Sequence, residues 1–213
     1  MAAVVFDLDG TLVDSLGDIA ASTNVSLAAA GLPTHTQDAV RGFVGHGIGV
    51  LVERVLGSLA TPERVESLLA AIGSHYREHS TERTRPFPGI EALLQTLLKR
   101  GVSLAVVSNK PHEMTTHIVQ VLFPSVPFGF VTGESADIPR KPDPTGILTA
   151  CAVLGVAPSA AVYVGDTSVD MQAARAAGVR SVAVTWGFRD RASLEAAQPD
   201  HWATRPEDIL AAL

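Results

Sequence analysis

Apolar positions along the chain fall into two kinds of run. Short, uninterrupted runs rich in valine, at residues 2–6, 102–107, 162–164 and 181–184, read as strands buried on both faces, which is how strands of a parallel sheet read. Other stretches repeat apolar residues at helical spacing between clear punctuation. These are residues 90–100 with Gly101 past the end, the segment from Pro111 onward, the segment opened by Pro144 behind Asp143, and residues 169–177 stopped by Gly178. Strand and helix alternate, which predicts an α/β fold with a doubly wound, Rossmann-like parallel sheet.

One interval breaks that rhythm. The stretch between Phe6 and Val102 is far longer than the about 30 residues a βαβ unit takes. It reads as helices only: residues 17–30 stopped by Gly31, 48–56 stopped by Gly57, and 62–78 behind Thr61 as N-cap. The pattern predicts a core of residues 1–14 and 86–213 with an inserted all-helical cap of residues 15–85. The connections near 12–14 and 83–88 are expected to form two hinge strands, with a binding cleft between the two parts.

Composition narrows the function. The chain has 213 residues, 46% of them hydrophobic, and 16 basic against 22 acidic side chains leave a formal charge of −6. The basic residues are scattered, so no footprint for nucleic acid or an anionic membrane is expected. The charge-free windows 114–133 and 144–165 are long enough to raise a membrane span, but Pro124 and Pro127 break the first, and Gly155 with Pro158 splits the second. The single cysteine, Cys151, lies in an apolar run and reads as an inert buried thiol. Met1 leads into an apolar strand without a basic segment, so no signal peptide is expected and a cytoplasmic protein, monomer or homodimer, is the expectation.

Ligands of open α/β sheets lie beyond the carboxyl ends of the strands. Polar residues gather there: Asp7-Leu8-Asp9-Gly10-Thr11 after the first strand, Ser108-Asn109-Lys110 after the second, and Gly165-Asp166-Thr167-Ser168-Val169-Asp170 after a later one, with Lys141 opening a helix. Taken singly, each aspartate suits a loop or helix cap. Four carboxylates and a lysine at corresponding strand ends point instead to a site, and crowded oxygen donors suit Mg²⁺.

These segments resemble, in order, the four motifs of the haloacid dehalogenase superfamily of phosphatases: residues 6–13, Val107-Ser108-Asn109, Lys141-Pro142, and Gly165-Asp166 with Asp170. The resemblance spans essentially the whole chain. It implies that Asp7 is a nucleophile forming an aspartyl-phosphate and that Asp9 is the general acid and base. It further implies that Ser108 and Lys141 hold phosphoryl oxygens, that Asn109 orients the nucleophile side, and that Asp7, Asp166 and the Asp9 carbonyl bind Mg²⁺. Asp170 and Thr11 support them. A Schiff-base phosphonate hydrolase would need a lysine in the cap, whereas the only lysines are Lys99, Lys110 and Lys141; Asp9 argues against a dehalogenase.

The cap stretch Arg41-Gly42-Phe43-Val44-Gly45-His46-Gly47-Ile48, followed by Leu51-Val52-Glu53-Arg54, is similar to that of bacterial phosphoglycolate phosphatases, and Tyr76 and Pro86-Phe87-Pro88-Gly89 fit the same group. The glycines read as a tight loop leaning over the site. Arg41 and His46, with the amides around Gly45, are the candidates for binding the leaving group; pairing of Arg41 with a surface acid is the alternative. The expected activity is Mg²⁺-dependent hydrolysis of a small phosphorylated metabolite, foremost 2-phosphoglycolate. The alternatives are another small ester, a sugar phosphate, pyrophosphate, or a receiver-like phosphoacceptor module.

Other signals are weaker. Residues 45–49 mimic a dinucleotide fingerprint but follow no strand, Gly133-Glu134-Ser135-Ala136-Asp137 lacks the second glycine of a serine nucleophile elbow, and His75 with His79 lacks a third zinc ligand.

Overall fold

A computed structural model describes residues 2–213. The chain begins with β1 (Ala3–Phe6) and the short β2 (Val13–Asp14), then runs through α1 (Leu16–Ala29), α2 (Gln37–Phe43), α3 (Ile48–Leu56) and α4 (Pro62–His79) before β3 (Arg85–Pro86). It continues as α5 (Ile90–Lys99), β4 (Ser103–Pro111), α6 (His112–Leu122), β5 (Phe130–Glu134), α7 (Thr145–Val153) and β6 (Ala161–Gly165). It ends with α8 (Ser168–Ala177), β7 (Arg180–Val184), α9 (Arg191–Glu195), β8 (His201–Ala203) and a 3₁₀ segment (Pro206–Ala212).

Six strands form one parallel sheet in the order β5-β4-β1-β6-β7-β8. Alternation along each strand sends its side chains to two layers. Val4 and Phe6 join Leu104, Val106, Val162 and Val164 on one face, while Ala3 and Val5 join Ala105, Val107, Ala161 and Tyr163 on the other. Both faces are covered by helices, which is why the strand segments read as continuous apolar runs.

The chain winds outward from β1 through β4 to β5, then returns to β6 on the opposite side of β1. The order therefore reverses at β1, and the carboxyl ends of β4, β1 and β6 meet at the crevice where such sheets bind ligands.

Between β2 and β3 there are only helices and one 3₁₀ turn, and these two short strands pair antiparallel as the hinge. The inserted helices share a core that includes Leu27, Val52, Val55, Leu68 and Ile72. No helix among the described residues is long and apolar enough to cross a membrane.

Several elements differ from the sequence expectation. Residues 37–43 form α2, which was not among the expected helices and takes in the start of the expected glycine loop; Thr36 caps it by accepting from the Ala39 amide, and Asp38 sits in its first turn. Strands β5 and β8 lie at the two edges of the sheet and were not anticipated. Strand β4 also runs past Val107 to Pro111 with a register shift, so residues 108–110 stay extended.

Asp18, buried in the first turn of α1, fastens the hinge. Its carboxylate accepts from the Arg83 amide at 3.0 Å, the Thr84 amide at 2.8 Å and the Thr84 hydroxyl at 2.7 Å. Asp18→Ala leaves those donors without an acceptor and is expected to cost about 3 kcal/mol, seen as a lower urea midpoint. An unchanged midpoint would show that the hinge does not depend on this anchor.

Candidate active site

The turn after β1 is set by two constraints. The Asp7 amide donates to Val164 O at 2.8 Å, which prolongs the β1–β6 ladder by one residue and fixes the Asp7 carboxylate between β4 and β6. The chain then turns on itself, with the amides of Thr11, Leu12 and Val13 all directed at Leu8 O. Gly10 sits at φ 84°, and a Cβ there would lie 2.3 Å from Asp166 Oδ2, so both backbone conformation and space demand glycine.

Asp7, Asp166 and Asp170 come together, with ligand oxygens all within 4.8 Å of one another and all three residues buried. Burial pushes the Asp7 carboxyl up to about 6, with Lys141 opposing the rise and the Asp170 and Asp9 charges adding to it. Burial and the two neighbouring carboxylates hold Asp166 well above the usual carboxylate range. Three buried acids are tolerated because Lys141 Nζ stands among them, 2.8 Å from Asp7 Oδ1, 2.7 Å from Asp170 Oδ1 and 2.8 Å from the Tyr163 hydroxyl. The approach to Asp7 is an ion-pair contact without hydrogen-bond alignment, so Asp7 Oδ1 stays available to a further partner.

The three acids are not equivalent. Both Asp170 oxygens are committed, one to Lys141 and the other to the amide and hydroxyl of Thr167 in a capping box that starts α8. Asp166 Oδ2 accepts from the Phe188 amide at 2.7 Å, whereas its buried Oδ1 has no hydrogen-bond partner. An orphaned buried carboxylate oxygen beside Asp7 Oδ1 fits a hard cation bound by oxygen, so this cluster can hold a metal through Asp7 and Asp166, with Asp170 acting through Lys141 and Thr167. Thr11 is buried beside the turn with its hydroxyl unpartnered.

Asp9 points elsewhere. Its carboxylate accepts from the Ser15 hydroxyl at 2.6 Å and from Lys110 Nζ at 2.7 Å, on the wall of a cavity of about 70 Å³ between the sheet ends and the inserted helices. Asp7, Ser108 and Asn109 line the same cavity from the sheet, and the insert contributes mainly apolar side chains. Asn109 acts on the backbone: it donates to Gly45 O and Lys141 O and accepts from the Lys141 amide, so it sets the position of Lys141 more directly than that of Asp7.

The residues expected to bind the leaving group separate here. Gly45 reaches the cavity, but Arg41 does not. It lies on α2 with its side chain 46% exposed, 3.7 Å from Asp38, the surface pairing that was the alternative reading. The His46 ring lies near Arg54 rather than in the cavity wall, 3.4 Å from its guanidinium, and burial together with the Arg54 and Arg189 charges lowers its pKa. Helix α2 is the reason: it turns the Arg41 side chain outward and leaves backbone carbonyls facing the core.

Those carbonyls are held by residues that sequence reasoning passed over. Arg189 donates to the carbonyls of Arg41, Gly42 and Val44, and Arg140 donates to His46 O at 3.2 Å. Tyr163, read as one residue of an apolar strand, supplies a hydroxyl to the Lys141 cluster and donates to Val107 O. Lys110 was grouped with the strand-end residues without a role, yet it contacts Asp9 across 101 positions of chain. A polar residue inside an apolar strand and a lysine immediately after Ser-Asn were the available signals.

Several known proteins are similar to this chain along its length. Residues 4–184 match the model of the haloacid dehalogenase-like hydrolases. The phosphoglycolate phosphatase of Aquifex aeolicus is 36% identical over 210 residues, covering 99% of this chain and 95% of its own, and that of Neisseria meningitidis is 38% identical over 215 residues, covering 99% and 90%. A candidate phosphoglycolate phosphatase from Lactobacillus delbrueckii subsp. bulgaricus superposes with a TM-score of 0.92 at 32% identity, covering 100% of this chain and 98% of that one. A haloacid dehalogenase-like family hydrolase from Streptococcus pneumoniae superposes at 0.89 with 29% identity, covering 100% and 98%.

Proposed function

Because the chain belongs to the haloacid dehalogenase-like hydrolase family, we propose that it is a cytoplasmic, Mg²⁺-dependent phosphomonoesterase for a small metabolite, with 2-phosphoglycolate as the leading substrate. The observation that carries the reading is the buried cluster of Asp7, Asp166 and Lys141 opening into a cavity whose wall holds Asp9. On this reading residues 15–85 are a cap that closes over the sheet ends.

The proposed chemistry follows from where each group sits. Asp7, held by its amide to Val164, attacks phosphorus through its carboxylate and becomes the aspartyl-phosphate. Asp9 gives its proton to the departing alkoxide, then takes one from the water that hydrolyses the acyl-phosphate, and Asp7 is regenerated. Lys141 and Ser108 receive the phosphoryl oxygens, and the lysine charge offsets what accumulates there. Asp7, Asp166 and the Asp9 carbonyl would hold Mg²⁺, which would supply positive charge to the phosphoryl group during transfer. The apolar cap side chains keep water away from the acyl-phosphate until the leaving group has gone.

Size favours a small leaving group. About 70 Å³ admits a handful of water-sized groups, which suits a short acid beside a phosphoryl group. A receiver-like module would use the strand-end acids but has no need of Asp9 or the cap.

The test is turnover of an aryl phosphate and of a panel of phosphorylated metabolites with Mg²⁺. Multiple turnovers, abolished by chelation and greatest with 2-phosphoglycolate, are expected; failure to turn over any phosphate ester would refute the proposal.

The acids make a second prediction. Asp7 binds a proton more tightly in the folded chain, so without cation the folded state holds more protons between about pH 4 and 6, and its stability falls as pH rises through that window. A bound cation needs the ionised carboxylate and relieves the repulsion. Mg²⁺ should therefore raise Tm by several degrees at pH 8 and much less at pH 5. An equal rise at both values would place the cation away from these carboxylates.

A further inference from the structure

The leaving-group side of the cavity has a division that the phosphate-binding motifs do not explain. The insert and its surroundings present Ile19, Leu51, Ile72 and Met114, an apolar wall on which a carboxylate would lose its hydration without compensation. Two polar groups interrupt that wall. Lys110 is buried, with Nζ 2.7 Å from Asp9 Oδ2 and 4.6 Å from the centre of the Tyr76 ring. Tyr76, reaching in from α4, has a buried hydroxyl with no hydrogen-bond partner.

Resting on the phosphatase reading above, we propose that Lys110 and Tyr76 form the subsite that reads the carboxylate of an anionic leaving group. An ammonium carries three protons, and the hydrogen bond to Asp9 occupies one. Lys141 shows the arrangement that Lys110 would adopt with substrate, one buried ammonium between two carboxylates. The Tyr76 hydroxyl then donates to the same carboxylate, which satisfies a group otherwise left buried and unpaired. Arg41 and His46, both directed away from the cavity, are not needed for this recognition.

The test compares 2-phosphoglycolate with ethyl phosphate, whose leaving group lacks the carboxylate. The wild type should favour 2-phosphoglycolate in kcat/KM by about 100-fold or more. Lys110 also touches Asp9, so Lys110→Met is expected to slow both substrates. The readout is their ratio, which should fall to within about fivefold, while Lys110→Arg retains part of the preference and Tyr76→Phe lowers it by about tenfold. Calorimetry on Asp7→Asn with Mg²⁺ repeats the comparison without turnover, using 3-phosphonopropionate against propylphosphonate. The carboxylate should strengthen binding only where Lys110 is intact. An unchanged ratio in Lys110→Met, or a wild type indifferent to the carboxylate in both assays, would overturn the subsite. Absence of turnover on both esters would instead overturn the phosphatase reading, and the calorimetric ratio would still decide the subsite.

Discussion

Asp7→Asn is expected to lower kcat by at least about 10⁴-fold while leaving the fold intact. The amide keeps the size and planarity of the carboxylate, and the amide of residue 7 still donates to Val164 O, so the sheet is unaffected. What is lost is the nucleophilic oxygen, and with it the covalent intermediate that divides the hydrolysis into two easier steps. The substitution also removes one of three clustered negative charges, so the apo variant should be no less stable than the wild type. Steady-state rates on 2-phosphoglycolate, with deamidation excluded by mass spectrometry, read the effect. Substantial turnover would remove Asp7 from the chemistry.

Lys141→Met is expected to be the more damaging change because it strikes both activity and stability. Its ammonium is 3% exposed and touches Asp7, Asp170 and Tyr163. Without it, the carboxylates of Asp7, Asp166 and Asp170 face one another with only the Arg189 charge left to oppose them. Removing one partner from a buried ion pair costs about 3–5 kcal/mol, and loss of transition-state charge stabilisation costs about 10²–10³-fold or more in kcat. A lysine at the mouth of a cleft would be dispensable for folding, the natural expectation from its place before a helix, but its burial changes that outcome. Mg²⁺ should recover part of the lost stability and little of the lost rate. Near-normal kcat together with an unshifted urea midpoint would contradict the placement of Lys141 at the phosphoryl group.

Legibility in the sequence followed the range of the interactions. The four buried strands and the parallel sheet are written locally, in apolar runs, and the structure places them as expected; the acids follow those runs immediately, and Asp7, Asp166 and Asp170 lie together. Strands β5 and β8 sit at the edges, where fewer apolar neighbours are needed; β8 is three residues long and includes a histidine, leaving little pattern to read. Helix α2 had a local signal in Thr36 and Asp38, but the glycines after it read more strongly as a loop.

The site was legible in its acids and much less so in its cations. Lys141, Asp7, Asp166 and Asp170 converge because each lies at a strand end or helix start beside the reversal in strand order. The partners of Arg189 and Arg140 are set by how the insert docks, with Arg189 meeting Arg41 O across 148 positions, and Lys110 meets Asp9 only once β1 and β4 lie side by side. No pattern along the chain reports that docking. Which way Arg41 points depended on its place on α2, and the residue that looked most able to grip a carboxylate is directed at Asp38 instead.

The most direct test of the central claim is to look for phosphate on Asp7. The wild type is mixed with ³²P-labelled 2-phosphoglycolate and Mg²⁺, quenched in acid within the first turnover, digested and mapped. The account predicts label on the peptide containing Asp7, stable to acid, released by hydroxylamine and absent from Asp7→Asn. Rapid turnover with no label on that peptide, or label on a different residue, would contradict it.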